Sequence, residues 1–256
     1  MQISKESWSR YQRAHALLQD NAKYKLEQYF DKLPWGENEA ASINALCNYA
    51  VELVQVYGLA DGELAAQFYD ELMAMQGATV RPAEIAAVDE DFVVRDVNGA
   101  VDKGTSSTAQ KALAAAAVSG HVKRVGVETM HNAAMRDGAM WAWVCIGDTC
   151  AFCRVLGSNG WQEASRNVRA GNHAEHIHDR CDCQFVVKPA GASLEIEGYD
   201  PDALYAEYKS APGRSSKDKI NAIRRADYTP EYAEQRNARR RELYADAHPK
   251  EPADND

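Results

Sequence analysis

No apolar run in this 256-residue chain approaches the roughly 20 residues that a membrane-spanning helix needs. The longest, Ala112 to Val118, is a short Ala-rich stretch. The opening Met1-Gln-Ile-Ser-Lys-Glu-Ser-Trp8 has no apolar core of signal-peptide length, which predicts an unsecreted protein whose thiols stay reduced. No internal repeat of fixed period is visible, which argues against solenoids and propellers. His-Glu-x-x-His, Gly-x-Ser-x-Gly and Walker A patterns are all missing, so the commonest signatures of zinc proteases, serine hydrolases and P-loop NTPases are absent. From residue 4 to residue 33 there is neither Gly nor Pro, so nothing in that stretch breaks a helix.

What the chain does have is ordinary globular material, with 45% hydrophobic residues and a net charge of -9. Its length predicts one or two domains. The charge is unevenly spread. Residues 1–100 hold 8 basic and 16 acidic side chains, whereas residues 209–241 hold 10 basic and 4 acidic. An acidic front half argues against wholesale coating of DNA, which requires clustered Lys and Arg. The basic segment 209–241 is a candidate contact for DNA or an acidic partner surface, set against the plainer reading of a solvated helical face.

Periodicity predicts a helical front. Trp8, Tyr11, Leu18, Phe30 and Leu33 recur at near-helical spacing and the helix ends at Pro34-Trp35-Gly36. A second helix is expected over 37–57, with Cys47 in its apolar stripe, stopped by Gly58. Asp61 is expected to cap a third helix carrying Leu64, Phe68 and Leu72, giving a helical hairpin bundle over residues 1–76. Pro82 is expected to open a short helix, with another near Asp89, before a long Ala-rich helix from about Thr108 to Arg136. His121 and His131 on that helix have no companion donor at helical spacing and are read as core or surface residues. Met140 to Ile146 reads as a strand, Gly157 to Trp161 as a hairpin turn, and Cys183 to Lys188 as a second strand ended by Pro189. A helix at 200–208, a linker at 212–216, basic helices over 216–226 and 230–245, and a flexible tail from His248 complete the chain. The fold class is therefore α+β, mainly α: a helical domain over 1–138, a small α+β cysteine/histidine module over 139–198, and a helical, partly extended arm over 199–256.

Chemistry concentrates in residues 150–183, where four of the six cysteines and three of the seven histidines fall. Cys150-x-x-Cys153 can present two sulfurs to one tetrahedral Zn²⁺, and His178, Cys181 and Cys183 offer donors to complete it. Cys145 should alternate away from that side of its strand. Metal binding, reduced structural thiols and disulfides are the three readings of such a cluster, and the donor spacing favours one structural zinc. His173, Glu175, His176 and His178 could instead serve a metal-dependent nuclease or hydrolase as base and extra ligands. Against that, two cysteine pairs already fill four positions, as a closed structural site does. The chain is therefore read as a non-enzyme.

Cys150-Ala-Phe-Cys153-Arg-Val-Leu-Gly-Ser-Asn-Gly160, followed by His178-Asp-Arg-Cys181-Asp-Cys183 and the apolar Gln184 to Val187, resembles the minor head proteins of tailed bacteriophages related to phage Mu protein F. The resemblance is specific across residues 140–189 and looser upstream. It implies a structural virion protein at the portal vertex or capsid interior, present in the host cytoplasm during assembly. Its implied partners are the portal protein, with the major capsid protein and further copies of itself as candidates. The aromatics Trp8, Tyr11, Tyr24, Tyr29 and Trp35 are read as exposed interface anchors, or else as bundle core. On the first reading, a chain lacking residues 1–76 keeps its zinc module folded.

Overall fold

The computed structural model describes residues 2–164 and 183–231, together with 234, 238 and 241. Everything is arranged around one long central helix. The order is β1 (Gln2–Ile3), α1 (Lys5–Phe30), α2 (Glu39–Leu53), a π-helical turn (Val54–Gly58), α3 (Leu59–Met75), α4 (Glu90–Lys103) and α5 (Ser107–Asp137). Then follow β2 (Met140–Val144), α6 (Ala151–Gly157), β3 (Gln162–Glu163), β4 (Gln184–Lys188), β5 (Glu195–Ile196), α7 (Pro201–Ser210) and α8 (Ser216–Asp227). The fold is mainly helical with a few short strands, as the periodicity predicts.

Local chemistry sets most helix starts. Ser4, Asn38, Asp89, Ser106, Asp200 and Ser215 each accept a backbone N–H three residues on, satisfying a donor that the first turn leaves open. Ser215 and Asp218 form a reciprocal capping box. Helix α5 ends at Gly138, whose φ of 62° is the left-handed conformation glycine adopts most cheaply.

Helix α5 is covered by α1, α3 and α4 along its length and by β4 and β2 near its C-terminal half. From Val118 to Ala134 it is buried nearly all round, and its Ala114, Ala115, Ala133 and Ala134 let neighbouring helices approach closely. One core cluster gathers the ends of α1 and α2 with α4 and the first half of α5, including Phe30, Leu46, Val97 and Val118. Cys47 is buried there, as its place in the apolar stripe predicts.

A three-stranded antiparallel sheet, in the order β3-β2-β4, packs against the second half of α5. Alternation places Trp141, Trp143, Phe185 and Val187 on one face, against Tyr69 of α3 and Met130 of α5. Val144 and Val186 face the other way, into a cluster with Trp8, Tyr11, Leu72 and Ile196. There the parallel pair β1 and β5 closes the back of the sheet. Core contacts therefore run across the 138/139 boundary.

Four local expectations are corrected. Gly58 does not stop a helix: α2, the π-helical turn and α3 run on without a break, and Gly58 itself has helical φ and ψ of -69° and -42°. Its missing side chain serves packing instead, because a Cβ there would come within 2.9 Å of Val125 Cγ2. Asp61 lies inside α3 and is buried, so it caps nothing; α1 and α2 are joined through residues 31–38 and pack together as expected, but no loop separates α2 from α3. Residues 78–89 form no helix at Pro82; their backbone is pinned by side chains, with Ala83 N–H donating to Asp70 and Ala86 N–H to Thr129. Finally, Gly157 ends a helix, α6, rather than opening a hairpin; a Cβ there would press on Cys145 Sγ and the Trp143 carbonyl. The expected basic helix over 230–245 lies mostly, and the flexible tail wholly, outside the described residues.

Candidate metal centre and its buried polar support

Cys150 caps α6. Its Sγ accepts the Cys153 N–H at 3.4 Å, so the Cys-x-x-Cys motif is the first turn of a helix. Cys153 points into the core beneath β2 and is 3% exposed, as is Cys183 at the start of β4. The sulfurs of Cys153 and Cys183 lie 3.3 Å apart. That exceeds the roughly 2.05 Å of a disulfide bond, and it is within half an ångström of the about 3.8 Å separating two thiolates on a tetrahedral zinc with ~2.3 Å bonds. The first and second cysteine motifs are thus brought together through one member of each.

Cys150 is half-buried beside this pair, and His178 and Cys181 lie outside the described residues, as do His173, Glu175 and His176. Among the described residues no group of three His, Cys, Asp or Glu side chains closes around one metal position. Cys145 does not alternate away from the pair: it shares the face of Trp141 and Trp143, and its Sγ donates to the Cys153 carbonyl at 3.0 Å.

The support for this pair comes from residues that motif reading passes over. Lys123, in the middle of α5 and only 3% exposed, donates from Nζ to the Cys183 carbonyl at 2.7 Å and lies 3.5 Å from its Sγ. Across a small cavity of about 10 Å³, lined by Tyr11, His15, Asp61, Lys123, Gly126 and Gln184 among others, the network continues. That volume is of the order one water molecule needs. His15 Nδ1 of α1 is 2.6 Å from Asp61 Oδ1 of α3, both side chains being buried, and His15 Nε2 has no hydrogen-bond partner among the described residues. Burial pushes the Asp61 carboxyl above the usual carboxylate range, while His15 and Lys123 pull it back. Burial also raises the Tyr11 phenol, with Asp61 adding to the rise. Gly126 makes room for the carboxylate, since a Cβ there would overlap Asp61 Oδ2.

One sequence signal and one feature of the fold account for this network. Lys123 interrupts the otherwise apolar positions Val122, Val125 and Val127. Asp61 follows a glycine that ends no helix, and the wider π-helical turn before it re-phases α3 so that the carboxylate turns inward. His121 and His131, read as isolated, are both buried; His121 Nε2 lies 3.2 Å from Asp96 Oδ2 and holds that carboxyl below its ordinary range.

The interface-anchor reading of the front aromatics is corrected for its leading members. Trp8 and Tyr11 are buried behind the sheet, Tyr29 stacks on Tyr49 at 4.2 Å, and Trp35 packs on Phe30 while its Nε1 donates to the Phe30 carbonyl. Trp8 and Tyr11 are thus core, while Tyr29 and Trp35 are half-buried against these neighbours.

Fold and site together define a mainly helical α+β protein in which a cysteine-bearing module is built onto the central helix. The chain belongs to the VG15 protein family, whose model matches residues 2–211, and the family name points to a viral, phage-type protein. The match reaches well beyond the 140–189 stretch that carries the resemblance to Mu F-like minor head proteins. No curated protein and no solved structure matches the chain.

Proposed function

We propose that this protein is a structural minor head protein of a tailed phage, located at the portal vertex or capsid interior, whose cysteine module is held by one structural zinc. The observation that carries the reading is the approach of Cys153 and Cys183, one from each cysteine motif, in a chain whose family match spans residues 2–211. Cys150, Cys153 and Cys183, with His178 and Cys181 from the intervening segment, are the candidate ligands. The donor chemistry fits: thiolates suit Zn²⁺, and the sulfurs of Cys153 and Cys183 are already close and buried. Zinc there would cross-link α6 to the start of β4. Burial of both sulfurs suits a closed structural site better than the open position that a nuclease needs.

The portal protein is the proposed principal partner, with self-association and contact with the major capsid protein beside it. The basic segment 209–241 is a second docking element. Arg214, Lys217, Arg224 and Arg225 are exposed on and before α8, while Arg154 Nη2 holds Asp227 at 2.8 Å and anchors that helix to α6. Among the described residues no helix is long and apolar enough to cross a membrane.

Two measurements test the reading together. The purified chain should bind portal rings and should leave DNA intact with Mg²⁺, Mn²⁺ or Zn²⁺. DNA cleavage abolished by Cys153→Ser, with no portal binding, would favour the nuclease instead.

A further inference from the structure

A lysine in the middle of a helix that is buried on nearly every side requires a reason. Moving an ammonium out of water costs several kcal/mol unless anions and hydrogen-bond acceptors surround it. Lys123 finds them on two sides. Toward the helical core is Asp61, itself bound to His15. Toward the sheet are the carbonyl oxygen of Cys183 at 2.7 Å and its sulfur at 3.5 Å. The carbonyl bond fixes the backbone of the candidate ligand, and the ammonium faces the atom that would carry negative charge when metal is bound.

We propose that Lys123 is the positioning residue of the cysteine site: it compensates and orients the Cys183 thiolate, and through Asp61 and His15 it couples metal binding to the packing of α1, α3 and α5. This rests on the zinc reading above. A zinc bound by three or four thiolates carries net negative charge, and a buried cation beside one of them offsets part of it. Groups that orient a ligand from outside the metal's own bonds commonly change affinity by about 10- to 100-fold when removed. The arrangement also gives α5 a purpose for its polar break. The metal-loaded module would stabilise the helical body from the inside, with no contribution from surface contacts.

The test uses the full chain and zinc itself, with affinity read by competition against a chromogenic chelator. Lys123→Met should weaken zinc about 10- to 100-fold. Thr129→Val, which disturbs the same helix where Thr129 bonds the Val125 carbonyl and the Ala86 N–H, should leave zinc affinity within about 2-fold. Equal affinity for Lys123→Met and wild type overturns the proposal, as does an equal loss in Thr129→Val. A wild-type chain that takes up no zinc overturns the zinc reading along with it, which is a different result. Should Lys123→Met fail to fold, hydrogen exchange on the wild-type chain decides. Zinc should then slow exchange in residues 118–127 of α5 and 59–66 of α3 as well as around α6 and β4. Protection confined to α6 and β4 overturns the coupling.

Discussion

The sulfur of Cys153, in the first turn of α6, lies 3.3 Å from the sulfur of Cys183, thirty residues on at the threshold of β4. Both side chains are buried. Protein purified without chelator should therefore carry about one zinc per chain, since tight structural sites survive purification. Cys153→Ser and Cys183→Ser should each lose it. Elemental analysis checks both, and less than about 0.2 metal per wild-type chain would rule out a tight structural zinc.

Asp61 and His15 form a buried pair, so breaking one half strands the other. Asp61→Ala should cost about 3–5 kcal/mol, because it leaves Lys123 and His15 without their carboxylate. The double variant His15→Leu/Asp61→Ala should cost less than the His15→Leu and Asp61→Ala losses added together. Urea unfolding of the four proteins measures the coupling. Additive losses would show that the pair does not act as a unit.

Gly58 sits in helical backbone, where alanine normally gains up to about 1 kcal/mol over glycine. Here the added methyl would press on Val125 Cγ2 and Val54 Cγ1, at 2.9 and 3.3 Å. Overpacking costs of about 1–3 kcal/mol outweigh the propensity gain. Gly58→Ala should thus lower the melting temperature, and Val125→Ala in the same chain should relieve most of the additional loss. A stabilised Gly58→Ala would show that α5 can shift to make room.

Asp137 accepts from Arg136 Nη2 at 2.7 Å and from the Tyr69 hydroxyl at 2.6 Å. The Arg136 hydrogen bond holds its carboxyl below the ordinary range, and Tyr69 adds to the effect. A lowered folded-state pKa contributes stability above the unfolded value of about 3.9 and loses it as pH falls through the folded value. Asp137→Asn should cost about 1–3 kcal/mol at pH 7. The gap to wild type should hold down to about pH 5 and close below about pH 4. Thermal melts across that range test it; a gap that widens toward acid would contradict the assignment.

The sheet of the cysteine module is covered on one face by Tyr69 and on the other by Trp8 and Tyr11. A chain lacking residues 1–76 should accordingly fail to fold that module, contrary to the expectation drawn from the sequence. Near-ultraviolet circular dichroism of the Trp141 and Trp143 environment reads the outcome. A native-like signal from the truncated chain would mean the sheet folds without its cover.

The sequence by itself determined the elements whose causes are local. Helix α5 was legible from its Ala-rich run over about 108–136, because propensity acts within a turn or two; the structure adds its caps, Ser106 and Gly138. Strands β2 and β4 were legible from their β-branched and aromatic runs, and the meeting of the two cysteine motifs, through Cys153 and Cys183, from their sequence pattern. Tertiary structure alone decided the rest. Whether Gly58 breaks a helix depends on Val125, sixty-seven positions away, filling the space a side chain would take. Whether Asp61 caps or pairs depends on His15 and Lys123, which come from other helices. Trp8 and Tyr11 have the composition of interface anchors, yet the back of a sheet formed by residues 140–188 claims them. Burial is a property of what the chain folds against, and a sequence window holds only one side of each such contact.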